Sequence, residues 1–131
     1  MSNIEKARHF PALWAGAINA GELEKVVGLY NGASTLTPTF STSSVNDRDS
    51  LNQYFTNLGS RKGVNVSLQD DTINCQHCGA NIYILTGTYA FGFEVDGNME
   101  SFPSRFTFVV NMDDEQPILH HHSSQAPQAL S

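Results

Sequence analysis

The sequence predicts an α+β fold in which three N-terminal helices pack on a strongly curved antiparallel sheet. Three observations carry the prediction. Apolar residues recur at helical intervals through the first part of the chain, to about Leu58. From Val64 the period becomes two, with Val64, Val66 and Leu68 alternating against Asn65, Ser67 and Gln69. Asp96-Gly97 then separates two long β-rich runs and is a strong hairpin signal.

Each element has its own warrant. Ser2 and Glu5 have capping-box spacing, and Ile4, Ala7, Leu13, Trp14, Ala17 and Ile18 follow on one helical stripe. Pro11 interrupts that stripe, so the helix either kinks there or becomes regular from Pro11 onward; Gly21 ends it. Leu23, Val26, Val27 and Tyr30 obey the i, i+3, i+4, i+7 rule and predict a short second helix closed near Asn31-Gly32. A brief strand over Ser34 to Thr37 and a Ser/Thr-rich loop over Thr39 to Ser44 lead to a third helix. It starts at Asn46 or Asp47 and buries Leu51, Tyr54, Phe55 and Leu58. The long runs Ala80 to Glu94 and onward to Met112 contain Gly87, Gly92 and Pro103, which predict bulges or bends that curl the sheet.

Composition bounds the function classes. A chain of 131 residues with 40% hydrophobic and 15% charged content predicts one globular domain over residues 1–131, with a real core. Net charge is −6, with only seven Lys and Arg and no basic cluster, which argues against nucleic acid or an anionic membrane as partner. There is no apolar run of transmembrane length and no signal-peptide core near Glu5 and His9, so a cytoplasmic location is expected. Cys75 and Cys78 form one C-x-x-C. Redox or zinc chemistry would need a helix N-terminus or further ligands beyond His77, so the spacing reads first as two reduced thiols beside a hairpin turn, with no metal or cofactor.

The end of the chain concentrates polar groups. Ser104 to Val110, an acidic turn, and Ile118 to Pro127 read as a hairpin that sets Arg105 beside the cluster His120, His121, His122, Ser123 and Ser124. The histidines sit within a strand pattern and read as native rather than as a tag. Arginine and histidine are costly inside a sheet unless paired or used, so a polar pocket is expected.

Trp14, the segments Gly21 to Tyr30 and Asp49 to Leu58, the strand Gly87 to Tyr89, Ser104 to Phe108 and the His-His-Ser-Ser-Gln-Ala-Pro ending occur in an order that resembles the nuclear transport factor 2-like superfamily. The resemblance is nearest to the association (hub) domain of calcium/calmodulin-dependent protein kinase II and its stand-alone bacterial relatives. It covers nearly the whole chain and implies a cone-shaped, cystatin-like fold that assembles through its sheet as a homodimer or larger ring and encloses a pocket. No kinase motif is present, which excludes phosphoryl transfer. The hub's strand arginine matches Arg105, whereas two further hub arginines fall on Leu85 and Ser123. Period two on the Ser123 side brings in His121 and Leu119 and turns His120 and His122 away, unless a bulge reverses the parity. Tyr83 and Tyr89 share the Leu85 face, and Trp14 and Tyr54 are placed on the helical wall.

Each residue has a plainer reading. Arg105 can pair with Glu100 or Asp49, the histidines can be satisfied at a subunit interface, and Trp14, Tyr30 and Tyr54 stand at core spacing. Their convergence favours a site. Three functions follow: a homodimer binding a small polar or carboxylate-bearing ligand through Arg105, His121, Ser123, Tyr89, Tyr83, Tyr54 and Trp14; a proton-transfer enzyme resembling ketosteroid isomerases or SnoaL-like polyketide cyclases, with His121 as best base though no aspartate falls at the isomerase base position; or an assembly module whose interface is Phe106, Phe108 and Val110.

Overall fold

The computed structural model describes residues 1–128 and 130. Helix α1 spans Asn3–Asn19, with Ser2 as N-cap accepting the Glu5 amide at 3.3 Å. Pro11 is accommodated within it without ending the helix. The buried stripe is Ala7, Phe10, Trp14, Ala17 and Ile18, so Phe10 takes the inward position expected of Leu13, and Ile4 and Leu13 are exposed. At the C-terminus Glu22 and Gly21 amides return to the Ala17 and Ile18 carbonyls, a Schellman closure with Gly21 at φ +73°.

Helix α2 covers only Leu23–Gly28, not the run to Asn31-Gly32 that periodicity suggests. Tyr30 instead opens strand β1, Tyr30–Thr37, longer than expected. The reason is tertiary: the Tyr30 side chain is fully buried and its backbone pairs with Ile118. Arg48 fixes the switch from helix to strand by donating to the carbonyls of Val27 (2.7 Å) and Tyr30 (3.0 Å). Helix α3, Arg48–Gly59, starts from Asp47, whose carboxylate accepts the Ser50 amide at 2.8 Å.

Strands β2 (Asn65–His77), β3 (Ile82–Val95), β4 (Asn98–Asn111) and β5 (Ile118–Gln125) complete a sheet of order β1-β5-β4-β3-β2. The β1–β5 pair is parallel, so the sheet is antiparallel except at that edge. The β3–β4 ladder runs unbroken from Ile82↔Asn111 to Val95↔Asn98, closed by Asp96 and Gly97 at φ +52° and +84°. Gly87, Gly92 and Pro103 therefore do not mark bulges in it. Register breaks fall in the other ladders: at Gln69/Asn74 of β2, directly opposite Gly87 as expected of it, at Val109/Val110 between β4 and β5, and at Tyr30/Thr35 between β1 and β5. Cys75 lies in β2 opposite Leu85 and Cys78 in the following turn; both are free thiols.

The helices cover one face of the sheet. Helix α1 packs on β2 and β3, and the Asn19 amide extends the β2 edge by donating to the Val66 carbonyl (2.9 Å) and accepting its N–H (2.7 Å). No helix among the described residues is long and apolar enough to cross a membrane.

Candidate functional site

Five elements deliver polar side chains to one point beneath the helices. Trp14 comes from α1, Tyr30 from β1, Tyr89 from β3, and His121 and Ser123 from β5; Thr39 arrives from the loop after β1. Trp14, Tyr30, Tyr89, His121 and Ser123 are all buried, His121 at 1% exposure. Phe108 stacks on the imidazole at 4.0 Å between ring centroids, and Trp14 meets it edge-on at 5.2 Å.

The hydrogen bonds form one chain whose direction can be assigned. Trp14 Nε1–H donates to the Tyr30 hydroxyl (3.1 Å), which lies 2.8 Å from His121 Nδ1. His121 Nε2 lies 3.0 Å from the Tyr89 hydroxyl, and that hydroxyl donates to Ser123 Oγ at 2.7 Å. A phenol has one proton. Since Tyr89 gives its proton to Ser123, Nε2–H must be the donor to Tyr89, and Nδ1 then accepts from Tyr30. Ser123, already accepting, donates to Thr39 Oγ1 at 2.5 Å. The network thus selects neutral, Nε2-protonated His121.

Electrostatics agree with that assignment. Burial, reinforced by the neighbouring charges of His120 and His122, holds the His121 imidazole well below its ordinary value, so it stays uncharged. Burial raises the Tyr30 phenol, with Tyr89 adding to the effect. Burial also raises Tyr89, partly offset by its bond to Ser123, and pushes Tyr54 up to about 12. Every member is neutral, and both His121 nitrogens are engaged. The cavity left among Trp14, Tyr54, Tyr89, His121 and Ser123 is only about 10 Å³, room for one water at most.

The sequence-predicted set is therefore divided. Trp14, Tyr54, Tyr89, His121 and Ser123 come together. Tyr83 shares their face of β3, but six residues at about 3.3 Å each carry it about 20 Å away, where it stacks on His77. Arg105 is not buried: it is exposed, in register with Thr88 and Ser124, on the opposite face of the sheet from Ser104 and Phe106. It reaches neither Glu100 nor Asp49; among the described residues the ion pair is Lys62–Glu94. By the same parity Phe106, Phe108 and Val110 are core residues, not an interface. The bulge at Val109/Val110 puts Ile118 rather than Leu119 inside, while His120 and His122 point outward as expected. Tyr30, Thr39 and Phe108 join the site without having been read there. Tyr30 is hidden by its fit to helical spacing, and only the parallel pairing with β5 reveals it.

Two further concavities have room for small molecules. A cleft of about 410 Å³ at the mouth of the cone lies between α3 and the loop Phe40–Val45; Tyr54 and Leu58 line both it and the inner cavity. Phe40, Phe93 and Arg61 complete its wall, with the guanidinium carbon 5.4 Å from the Phe93 ring centre. A second groove of about 430 Å³ lies on the outer sheet face around Arg105.

Comparison with curated protein sequences gives no match. Among solved structures, the chain is similar to a calcium/calmodulin-dependent protein kinase II association domain protein from Xanthomonas campestris, with 23% identity, TM-score 0.83, and 95% of this chain and 88% of that chain covered. It is similar also to a hub homology domain of that kinase from Chlamydomonas reinhardtii (18%, TM-score 0.74, 97% and 100% covered). A nuclear transport factor 2-like protein with a cystatin-like fold from Novosphingobium aromaticivorans superposes with TM-score 0.74 at 12% identity, covering 95% of this chain and 82% of that one. These likenesses establish the cystatin-like fold. The sequence model of the calcium/calmodulin-dependent protein kinase II association domain matches residues 7–127, nearly the whole chain, and the protein belongs to that family.

Proposed function

We propose that this chain is a self-associating module in which copies pack through the outer face of the sheet. The supporting observation is that the helices cover one face only. On the other, Ile84 and Val109 stand in register with each other and remain half-buried, with no helix of the described residues packed over them. Packing two such faces removes apolar surface from water, worth about 25 cal/mol per Å². Sedimentation velocity across micromolar concentrations tests the reading. The wild-type chain is expected to sediment as a dimer or larger ring, and Val109→Glu to shift it to monomer while preserving the far-ultraviolet spectrum. A wild-type monomer at all concentrations, or a Val109→Glu chain of unchanged size, would refute it.

A second reading, small-molecule binding, is supported by the cleft at the cone mouth. It combines the aromatic wall of Phe40, Tyr54 and Phe93 with one cation, Arg61, and no lining carboxylate. A small polar or carboxylate-bearing ligand suits that composition, with Arg61 in the role that sequence reasoning gave to Arg105. Native mass spectrometry of protein purified from its host is expected to show a co-purifying small molecule that Arg61→Ala loses; retention by Arg61→Ala removes the cleft from consideration.

A further inference from the structure

The outer face carries a polar grid whose charge the self-association reading leaves unmatched. Pairing across three strands sets Thr88, Arg105 and Ser124 in one row and Thr86, Thr107 and His122 in the next. The side chains of Arg105, Ser124, Thr86, Thr107 and His122 make no hydrogen bond or ion pair among the described residues, although each can donate. Thr88 and Thr72 are occupied by Gln69, at the break in the β2 ladder. These residues line the groove of about 430 Å³, and no lining residue is acidic.

Self-association through this face creates a charge problem. Each copy brings a full guanidinium charge, and the facing rows contain no carboxylate to neutralise it. Burying an uncompensated guanidinium is strongly unfavourable. A tetrahedral oxyanion would resolve this, because it offers several acceptor oxygens to the Arg105 fork and to the surrounding hydroxyls. A carboxylate would leave more of those donors unused. Neighbours within a row stand about 5 Å apart across the strands, which places the Thr88 and Ser124 hydroxyls on either side of Arg105.

We propose that the Arg105 groove binds a tetrahedral oxyanion of the sulfate or phosphate type, and that this ion links assembly of two sheet faces. The proposal rests on the self-association reading for its second half only. Sodium sulfate is the probe, compared with sodium chloride at matched ionic strength, by sedimentation and by titration calorimetry. Sulfate is expected to strengthen wild-type association by about tenfold or more. Arg105→Gln should abolish that response and the calorimetric binding signal, and Ser124→Ala should weaken both. Arg105→Gln is expected to keep the wild-type unfolding midpoint, since among the described residues the side chain makes no hydrogen bond or ion pair that its loss would break. An equal sulfate response in Arg105→Gln would show a general salt effect on apolar burial and overturn the proposal; so would no response at all. A chain that stays monomeric refutes self-association and the linkage, while calorimetry on that monomer still decides the groove: Arg105-dependent heat supports it and its absence overturns it.

Discussion

Tyr30→Phe removes one oxygen from the centre of the buried chain, and the structure fixes what that oxygen does. It accepts from Trp14 Nε1–H at 3.1 Å and donates to His121 Nδ1 at 2.8 Å, in a residue with no exposed surface. Its loss leaves one donor and one acceptor unpaired in a dry core, each costing about 1–3 kcal/mol. Partial relaxation, or one water in the small adjoining cavity, reduces the sum, so destabilisation of about 2–4 kcal/mol is expected. Ser123→Ala should cost less, about 1–2 kcal/mol, because only the Tyr89 hydroxyl is left buried without its acceptor, while Thr39 is half-buried and can turn to solvent. Urea unfolding at fixed protein concentration measures both, the concentration being held because association couples to stability. Combining Tyr30→Phe with His121→Phe removes donor and acceptor together, so the double variant should be less destabilised than the sum of the singles. A Tyr30→Phe chain within about 0.5 kcal/mol of wild type, or strict additivity with His121→Phe, would refute the assigned chain of hydrogen bonds.

Two other consequences are open to direct measurement. The folded state keeps His121 neutral while the unfolded state titrates near the ordinary imidazole value, so the unfolded chain binds a proton that the folded chain does not. Stability should be flat above neutrality and fall by about 1.4 kcal/mol per pH unit as pH drops below about 6.5, until the depressed folded value is reached. Nuclear magnetic resonance at pH 5.5 should then show a His121 ring still neutral, and a protonated ring there would contradict the network. At Gly87, a Cβ would meet the Phe106 ring at 2.9 Å and Thr72 Oγ1 at 3.1 Å, the latter being the acceptor for the Thr88 amide. Gly87→Ala is expected to cost about 1–3 kcal/mol in urea unfolding, and a neutral result would mean that the Phe106 ring moves freely.

What was legible in the sequence is local. Ser2 and Asp47 cap the helices they were expected to cap, and Asp96-Gly97 turns the central hairpin, because these signals act within four residues. The parity that turns His121 and Ser123 inward and His120 and His122 outward also held, since it depends only on alternation along one strand. Misplacements came from long-range pairing. Tyr30 fits a helical stripe and a strand start equally well, and its choice is made by β5, nearly ninety positions later in the chain, through pairing with Ile118 and the bond to His121. The bulge at Val109/Val110 exchanges Ile118 for Leu119, and no local residue type announces it. Arg105 was drawn into the pocket by resemblance, whereas its register with Ser124 rather than Ser123 sends it to the other face.

The fate of the resemblance-implied arginines explains why the inner cavity is closed. Two of those positions are here Leu85 and Ser123, both buried, at 0% and 3% exposure, and among the described residues no arginine, lysine or carboxylate is buried. A charged cavity has to stay wet or bind an ion, whereas a neutral one can fill. Here Phe108, His121 and Trp14 fill it as stacked and edge-on rings, and the remaining polar atoms satisfy one another from Tyr30 to Thr39. Charge that could recognise an external partner is displaced to the periphery, to Arg61 at the mouth and Arg105 on the open sheet. The interior then sets stability and its dependence on pH, while the two surfaces proposed for recognition can be altered one residue at a time without touching the buried chain.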